Sequence, residues 1–350
     1  MIIGVVVLVI VIVGVLTSSE QVDEQVARIG VITPLTGGAG YWAESSVLGV
    51  ELAKRDLAAA GITVEFVIED GALDPKMALS AAQKLVEVDK VDALYSEFNP
   101  AAIAVTSYAK NRDVLHLYDA ASVSPLADDE YVYKTYIDYT TSCNRAATLA
   151  KNRGVERMGV LEIGQEIGVL CRDGVQQVFG TSTYVETYQV GDTDFRSQLT
   201  KLKSHDVQAV INVSFQPETL ASLRQVRELD PDLLFLGVSD AVSPDIVDEY
   251  GDFLEGAIMF GLPAVSDEFR ALVDTVGEVS DYSAAALAYI HTKQLAEVLH
   301  ACADDLICAR NKLGEAKPEP FAGFLGFTDR VAGFDVRIVE WKDGQFVDIK

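Results

Sequence analysis

Basic residues are scarce in this sequence of 350 residues. It contains 28 Lys and Arg against 53 Asp and Glu, which gives a formal net charge of -25. Because nucleic-acid binding depends mainly on Lys and Arg that neutralise phosphates, this balance excludes nucleic acid as an expected partner. It also argues against docking on anionic lipid headgroups. The acidic excess therefore indicates a soluble, self-repelling surface.

Histidine and cysteine are also few, and neither forms a metal-binding pattern. The four histidines are scattered and no CxxC pair occurs, so the sequence predicts no metal site. An exported protein can pair its cysteines as disulfides. Cys302 and Cys308 are close enough to close a small loop, but the sequence leaves the connectivity open. The four candidates for pairing are Cys143, Cys171, Cys302 and Cys308.

Common catalytic motifs are absent from the sequence. It contains no GxSxG, HExxH or GxxxxGK[ST]. Residues 38–43 fit the GxGxxA dinucleotide pattern, but in a true fingerprint the first glycine directly follows the strand, whereas here residues 34–37 intervene. Tyr41 and Trp42 would also crowd a pyrophosphate. We therefore interpret this segment as a flexible loop with an aromatic wall, and we predict neither an NAD cofactor nor an enzyme.

A long apolar run opens the sequence, from Ile2 to Leu16. A run this short is typical of a signal peptide, since a membrane-spanning helix needs about 20 residues. Small residues at Thr17 and Ser19 would permit cleavage after Ser19. No Lys or Arg precedes the run, so residues 1–27 are predicted as a signal peptide or, alternatively, a membrane anchor with a short linker. In both cases the acidic stretch that follows places the rest of the chain outside the cytoplasm.

Strand-like and helix-like segments alternate from Arg28 onward. The first are a strand at Ile29–Thr33 and a helix at Ser45–Ala60, and the pattern restarts near Tyr131. Repeated β-α-β units predict an α/β fold with parallel, doubly wound sheets, and the length suggests about two domains. The tail is predicted as three strands, at Phe324–Thr328, Val336–Trp341 and Phe346–Ile349.

Polar and aromatic residues follow several predicted strands. In doubly wound sheets, ligands bind at the carboxyl ends of strands, where helix N-termini point. We therefore expect a ligand site to be built from five segments, which are Thr33–Trp42, Ser96–Pro100, Asp119–Ser122, Phe215–Pro217 and Ser239–Asp240.

Several blocks of the sequence are similar to one known family. Ile29–Gly37 and the following helix at Gly49–Leu57 resemble the opening of type I periplasmic binding proteins, in particular the branched-chain amino acid (Leu/Ile/Val) binding proteins of ABC importers. Glu69–Pro75, Ala120–Ser122 and the tail after Phe324 match further blocks. The resemblance extends from Arg28 to Lys350, and it rests on the order and spacing of these blocks.

The resemblance implies two Rossmann-like lobes joined by three crossovers. These are expected near Tyr133–Asp138, Gly261–Val265 and Phe327–Ala332. Lobe 1 would then contain residues 28–135 and 264–326, and lobe 2 residues 136–263 and 327–350. The ligand would bind in the cleft between lobes that hinge shut, and a membrane permease would recognise the closed form.

The resemblance also implies residue roles. In the amino-acid binders, hydroxyl and backbone N–H groups of lobe 1 hold the carboxylate, and an acid of lobe 2 takes the ammonium. Helix N-termini offer free N–H groups, and a buried ammonium needs a charged partner. Two departures stand out: Pro100 has no N–H group, and Glu97 near the mouth would repel an anion. The residues carried over are Trp42, Asn99, Pro100, Ala120, Ala121, Ser122, Phe215, Ser239 and Asp240.

The sequence thus predicts an extracytoplasmic solute-binding protein of an ABC importer. Its expected partners are a small polar ligand, most simply an amino acid, and a membrane permease. One alternative within the fold is a sensor whose ligand-bound lobes signal to a membrane partner. From other classes, the alternatives are an NAD-dependent oxidoreductase and a structural surface protein without a small-molecule ligand.

The interpretation of the N-terminus makes a direct prediction. Protein recovered from the extracytoplasmic fraction should begin near Glu20, or it should stay in the membrane with Met1 intact. N-terminal sequencing of both fractions checks this. Soluble cytoplasmic protein that retains its whole N-terminus would contradict both versions.

Overall fold

The computed structural model describes residues 26–110, 112–126, 129–239, 244–303 and 305–349. The predicted signal or anchor segment lies almost wholly outside these residues. Within the described ranges, no helix is long and apolar enough to cross a membrane.

Fourteen strands and eleven α-helices form the described chain. The strands are β1 (Ala27–Thr33), β2 (Val64–Asp70), β3 (Ala93–Glu97), β4 (Leu115–Asp119), β5 (Val132–Lys134), β6 (Met158–Ile163), β7 (Thr183–Tyr188), β8 (Ala209–Asn212), β9 (Leu234–Val238), β10 (Ile258–Gly261), β11 (Phe324–Thr328), β12 (Val331–Phe334), β13 (Arg337–Lys342) and β14 (Gln345–Asp348). The helices are α1 (Gly40–Ala59), α2 (Pro75–Glu87), α3 (Asn99–Ala109), α4 (Tyr139–Asn152), α5 (Glu166–Phe179), α6 (Arg196–Lys203), α7 (Gln216–Leu229), α8 (Pro244–Leu254), α9 (Asp267–Val273), α10 (Tyr282–Cys302) and α11 (Leu306–Gly314).

The strands form two sheets of seven. The first has the order β11-β12-β5-β4-β3-β1-β2, and the second has the order β14-β13-β10-β9-β8-β6-β7. Central strands such as β3 and β4 are buried along their whole length, as expected for parallel strands covered by helices on both faces. The predicted α/β fold is therefore confirmed, with antiparallel pairs only among the last strands of each sheet. We call the first sheet with its helices lobe 1 and the second lobe 2.

The chain changes sheet three times, between β5 and β6, between β10 and β11, and between β12 and β13. The last change differs from the sequence prediction, which placed it near Phe327–Ala332 and assigned residues 327–350 to lobe 2. Instead, β11 and β12 form a hairpin at the edge of the first sheet, where Val331 pairs with Lys134 of β5. The hairpin turn is Asp329–Arg330, and both residues have positive φ. At this turn the sequence has no Asn-Gly or Asp-Gly pair of the kind that usually indicates a two-residue hairpin turn.

Two disulfides resolve the cysteine pairing that the sequence left open. Cys143 of α4 bonds to Cys171 of α5, and Cys302 at the end of α10 bonds to Cys308 of α11. Each disulfide joins two consecutive helices of one lobe. No free cysteine is found in the described part of the chain.

Helices α1 and α10 pack against each other on one face of the first sheet, and Gly49 makes their close approach possible. A Cβ atom at Gly49 would lie 2.1 Å from the carbonyl oxygen of Ala285. Real Cβ atoms do not approach a backbone oxygen this closely. Any larger residue would therefore separate the two helices.

We expect Gly49→Ala to lower the free energy of unfolding by about 1–3 kcal/mol, the usual cost of overpacking. In a helix with free space around the glycine, Gly→Ala would instead raise the free energy of unfolding by about 0.5–1 kcal/mol. A decrease at Gly49 would therefore identify the close contact between the helices. Urea denaturation measures the effect. Gly251→Ala in α8 is the matched control, because a Cβ atom at this helical glycine would meet its nearest neighbour only at 3.9 Å. Equal stability of Gly49→Ala and the wild type would refute this account of the packing.

Candidate ligand-binding cleft

A cleft lies between the two lobes at the carboxyl ends of their parallel strands. It encloses about 850 Å³, part of it open to solvent. The N-terminal ends of α1 and α3 border it from lobe 1, and the N-terminal end of α7 borders it from lobe 2. This is the position at which doubly wound sheets bind ligands.

Aromatic side chains dominate the lining of the cleft. Lobe 1 supplies three of them, the first crossover and the start of α4 supply two, and the loop before α7 supplies one. We call this set the aromatic box, which consists of Tyr41, Trp42, Phe98, Tyr136, Tyr139 and Phe215.

Rings of the aromatic box face one another at inclined angles. Trp42 has its ring centroid 5.7 Å from that of Phe98 and 6.3 Å from that of Tyr136, with interplanar angles of 68° and 79°. Tyr136 and Tyr139 are 6.1 Å apart. Phe98 of lobe 1 and Phe215 of lobe 2 are 6.4 Å apart at 47°, so the two lobes are in contact through the box. The rings form several walls of a chamber rather than the two sides of a flat slot.

Phe98 occupies an unusual backbone position in the box. It follows β3 and precedes α3 with φ 69° and ψ 151°, a region that residues with a Cβ atom rarely adopt. Its N–H group donates to the carbonyl oxygen of Asp119 at 2.7 Å. Backbone strain of this kind is common at binding sites and costs about 1–3 kcal/mol. Here it accompanies a ring that lines the cleft.

Asn99 lines the cleft and carries an unpaired side-chain amide N–H group. Its Oδ1 accepts a hydrogen bond from the N–H group of Ser122 at 3.0 Å, which fixes the orientation of the amide. The Nδ2 atom is buried and has no hydrogen-bond partner. An acceptor brought next to Nδ2 by a bound ligand would satisfy this donor.

Glu97 lies at the end of β3 beneath the aromatic box and is buried. Burial raises the pKa of its carboxyl group. The hydroxyl groups of Thr33 and Ser46 donate to the carboxyl oxygens and act in the opposite direction, lowering the pKa. The Ser46 hydrogen bond measures 2.7 Å. The indole N–H of Trp42 lies near the same carboxyl group and also lowers its pKa, but without good hydrogen-bond geometry.

The Glu97 carboxyl group does not reach the cleft surface. The expectation that Glu97 would repel an anion at the mouth is therefore wrong, because its side chain points to the face of the sheet that α1 covers. The hydroxyl group of Tyr95 links Glu97 to Asp119, at 3.3 Å and 3.2 Å. Asp119 itself lines the cleft.

The first crossover contains a buried lysine. The Nζ atom of Lys134, the last residue of β5, donates to the carbonyl oxygens of Tyr136 and Ile137, the latter at 3.0 Å. Burial lowers the pKa of Lys134 to about 8, although the carboxylates of Asp138 and Asp119 act in the opposite direction. These two hydrogen bonds fix the backbone of the first crossover and with it the position of Tyr136.

Comparison with known proteins identifies the family of this chain. The sequence profile described as "Periplasmic binding protein" matches residues 26–345. The chain belongs to this family. The predicted resemblance is confirmed, and the family is one of solute-binding proteins that act outside the cytoplasm.

Relatives of this periplasmic binding protein are similar along most of their length. A leucine-, isoleucine-, valine-, threonine- and alanine-binding protein of Pseudomonas aeruginosa is 24% identical, with 95% of each chain covered. A solved leucine-binding protein of Thermotoga maritima superimposes with a TM-score of 0.80 at 20% identity, covering 93% of this chain and 98% of that one. A solute-binding protein of R. palustris in complex with 4-hydroxybenzoate also gives 0.80, at 19% identity and with 93% and 96% covered.

Most residues that the sequence singled out lie at the cleft of this binding protein. The structure places six of them in its lining: Trp42, Asn99, Pro100, Ala120, Ala121 and Phe215.

Three others are placed differently. Ser122 is fully buried outside the lining, and its hydroxyl group pairs with that of Ser124 at 2.8 Å. Ser239 borders a neighbouring open groove instead. Asp240 falls outside the described residues. Ligand contacts by all nine residues stay predictions.

Sequence reasoning missed part of the binding protein's lining. From lobe 2 and the first crossover, Gln165, Ile167, Ser214, Tyr136 and Tyr139 line the cleft. The signal that could have found Tyr136 was its position inside the predicted crossover Tyr133–Asp138, and Tyr139 follows directly after that segment. Crossover segments border the cleft in any two-lobed protein of this kind.

Phe98 allows a test of the strained backbone. We expect Phe98→Gly to be more stable than Phe98→Ala by about 1 kcal/mol, because glycine adopts positive φ without a steric cost. Both variants remove the ring, so their difference isolates the backbone. At an ordinary position the order is reversed. Chemical denaturation of the two variants provides the comparison, and a more stable Phe98→Ala would show that the position is not strained.

Proposed function

We propose that this chain is the solute receptor of an ABC importer and binds an amino acid or a related small carboxylate. The observation that carries the proposal is the cleft whose aromatic box draws rings from both lobes. Because Phe98 and Phe215 meet across the cleft, a ligand enclosed there would contact both lobes and stabilise their closed arrangement. A membrane permease would recognise that closed form, and no catalytic step is needed.

Asn99 supports the carboxylate part of the proposal. Its buried Nδ2 donor lies at the start of α3, where backbone N–H groups and the helix dipole also favour an anion. Pro100, the second residue of the helix, has no backbone N–H group to donate. The side-chain amide of Asn99 would therefore supply a larger part of the hydrogen bonding to a carboxylate. Hydrogen bonds to charged groups contribute about 1.5–3 kcal/mol each.

The two disulfides support the location. Disulfides persist in oxidising compartments and are rare in the cytosol. All four cysteines of the sequence are paired in the structure. This agrees with a receptor that works outside the cytoplasm.

Ligand binding should compact the protein. A thermal-shift screen of the twenty amino acids, benzoate and 4-hydroxybenzoate identifies a stabilising compound, and small-angle scattering then measures the radius of gyration with and without it. We expect a smaller radius at saturation. Asn99→Ala should weaken binding of the same compound about tenfold or more, since about 1.4 kcal/mol corresponds to tenfold in affinity.

Asn144→Ala is the matched control for Asn99. Its amide donates to Gln177 between α4 and α5, on exposed surface away from the cleft, so its loss should leave affinity unchanged. A stabilising compound that leaves the radius of gyration unchanged would rule out closure. Turnover of the bound compound would point to an enzyme instead.

A further inference from the structure

The aromatic box and the charges around it narrow the class of ligand. Among the described residues that line the cleft, Asp119 is the only acid, and none is Lys, Arg or His. An anionic ligand would therefore meet no cationic side chain in this lining. The formal net charge of -25 gives the whole chain a negative field, which attracts cations and repels anions.

Box geometry adds an independent argument. The measured ring pairs are inclined by 47° to 79°, so the rings of the box are oriented in several directions. Inclined rings can each turn part of a face toward a compact group in the middle. Ring faces carry negative charge density and attract cations, most strongly for Trp. The box thus suits a rounded, weakly hydrated cation.

The buried carboxylate of Asp119 completes this environment. It lies at the end of β4 on the lobe 1 side of the cleft, and it accepts a hydrogen bond from the hydroxyl group of Tyr95 at 3.2 Å. A negative group in the lining stabilises a nearby cation through space, without requiring a hydrogen bond. A primary ammonium would still need three hydrogen-bond acceptors. A quaternary ammonium carries no N–H group and needs none.

We propose that the ligand is a zwitterion of the betaine type, whose methylated ammonium lies in the aromatic box and whose carboxylate is held by Asn99. This inference rests on the proposed function and specifies its ligand class. Cation–π attraction in a desolvated site supplies the selectivity for the ammonium. The donor on Asn99 places the carboxylate at the start of α3.

Calorimetry with two ligands of the same shape tests the inference. Glycine betaine and tert-butylacetate differ only in that a neutral carbon replaces the quaternary nitrogen. We expect glycine betaine to bind at least about tenfold more tightly, because only the cation interacts with the ring faces. Equal or tighter binding of tert-butylacetate would overturn the inference.

Fluorinated tryptophan tests the role of Trp42 without removing its ring. The sequence has two tryptophans, so Trp341→Phe leaves Trp42 as the single one. Trp341 packs on Phe346 in lobe 2, away from the box. Mono- and difluorotryptophan withdraw charge from the ring face, so affinity for glycine betaine should fall stepwise. Unchanged affinity would remove Trp42 from cation recognition and overturn the proposed site.

The outcomes separate this inference from the proposed function. If leucine or benzoate binds and compacts the protein while glycine betaine and choline do not bind, the receptor function holds and the betaine inference fails. If no compound of the thermal-shift screen binds and neither glycine betaine nor choline does, both fail.

Discussion

The lobe 1 wall of the cleft depends on one buried carboxyl group. Glu97 receives hydrogen bonds from Thr33 of β1 and from Ser46 of α1, and the single hydroxyl proton of Tyr95 is shared between Glu97 and Asp119. Burying a carboxyl group without partners would be costly, so these donors must stay in place. Because Ser46 is one turn beyond Trp42, the same contacts fix the start of α1. The rings of Tyr41 and Trp42 are thus positioned by a polar network beneath them.

A second polar contact positions the opposite wall. Lys134 ends β5 and donates to two carbonyl groups of the first crossover. Backbone groups in such a connecting segment have no sheet partner and need other donors. The lysine satisfies them and fixes Tyr136 beside Trp42. One wall of the aromatic box is therefore attached to the segment about which the lobes would rotate.

Much of the fold could be predicted from the sequence because alternating β-α-β patterns are local. The same holds for Trp42, Asn99 and Phe215, which directly follow strands or begin helices. Glu97 could not be placed, because a shift of one residue along a strand moves a side chain to the other face of the sheet. The sequence shows strands but not which face each residue takes.

Features that depend on tertiary structure could not be predicted from the sequence. Strand β12 follows a two-residue turn of Asp329 and Arg330, which carries no glycine signal, and it contains Gly333, which weakens the strand pattern. The positive φ of Phe98 is imposed by its surroundings. Helices α8 and α11 were missed as well. Asp305 caps α11 by accepting from the N–H group of Cys308, a short-range signal that the sequence did contain.

The packing of α10 on α1 has a consequence for the order of folding. Helix α10 belongs to lobe 1 but follows all of β6 to β10 in the chain. As a chain emerges from its N-terminus, the five parallel strands of lobe 2 are complete before the partner of α1 arrives. Until then, the apolar side of α1 around Gly49 is uncovered. Lobe 1 thus begins first but is completed only after the parallel strands of lobe 2, and β13 and β14 then complete the second sheet.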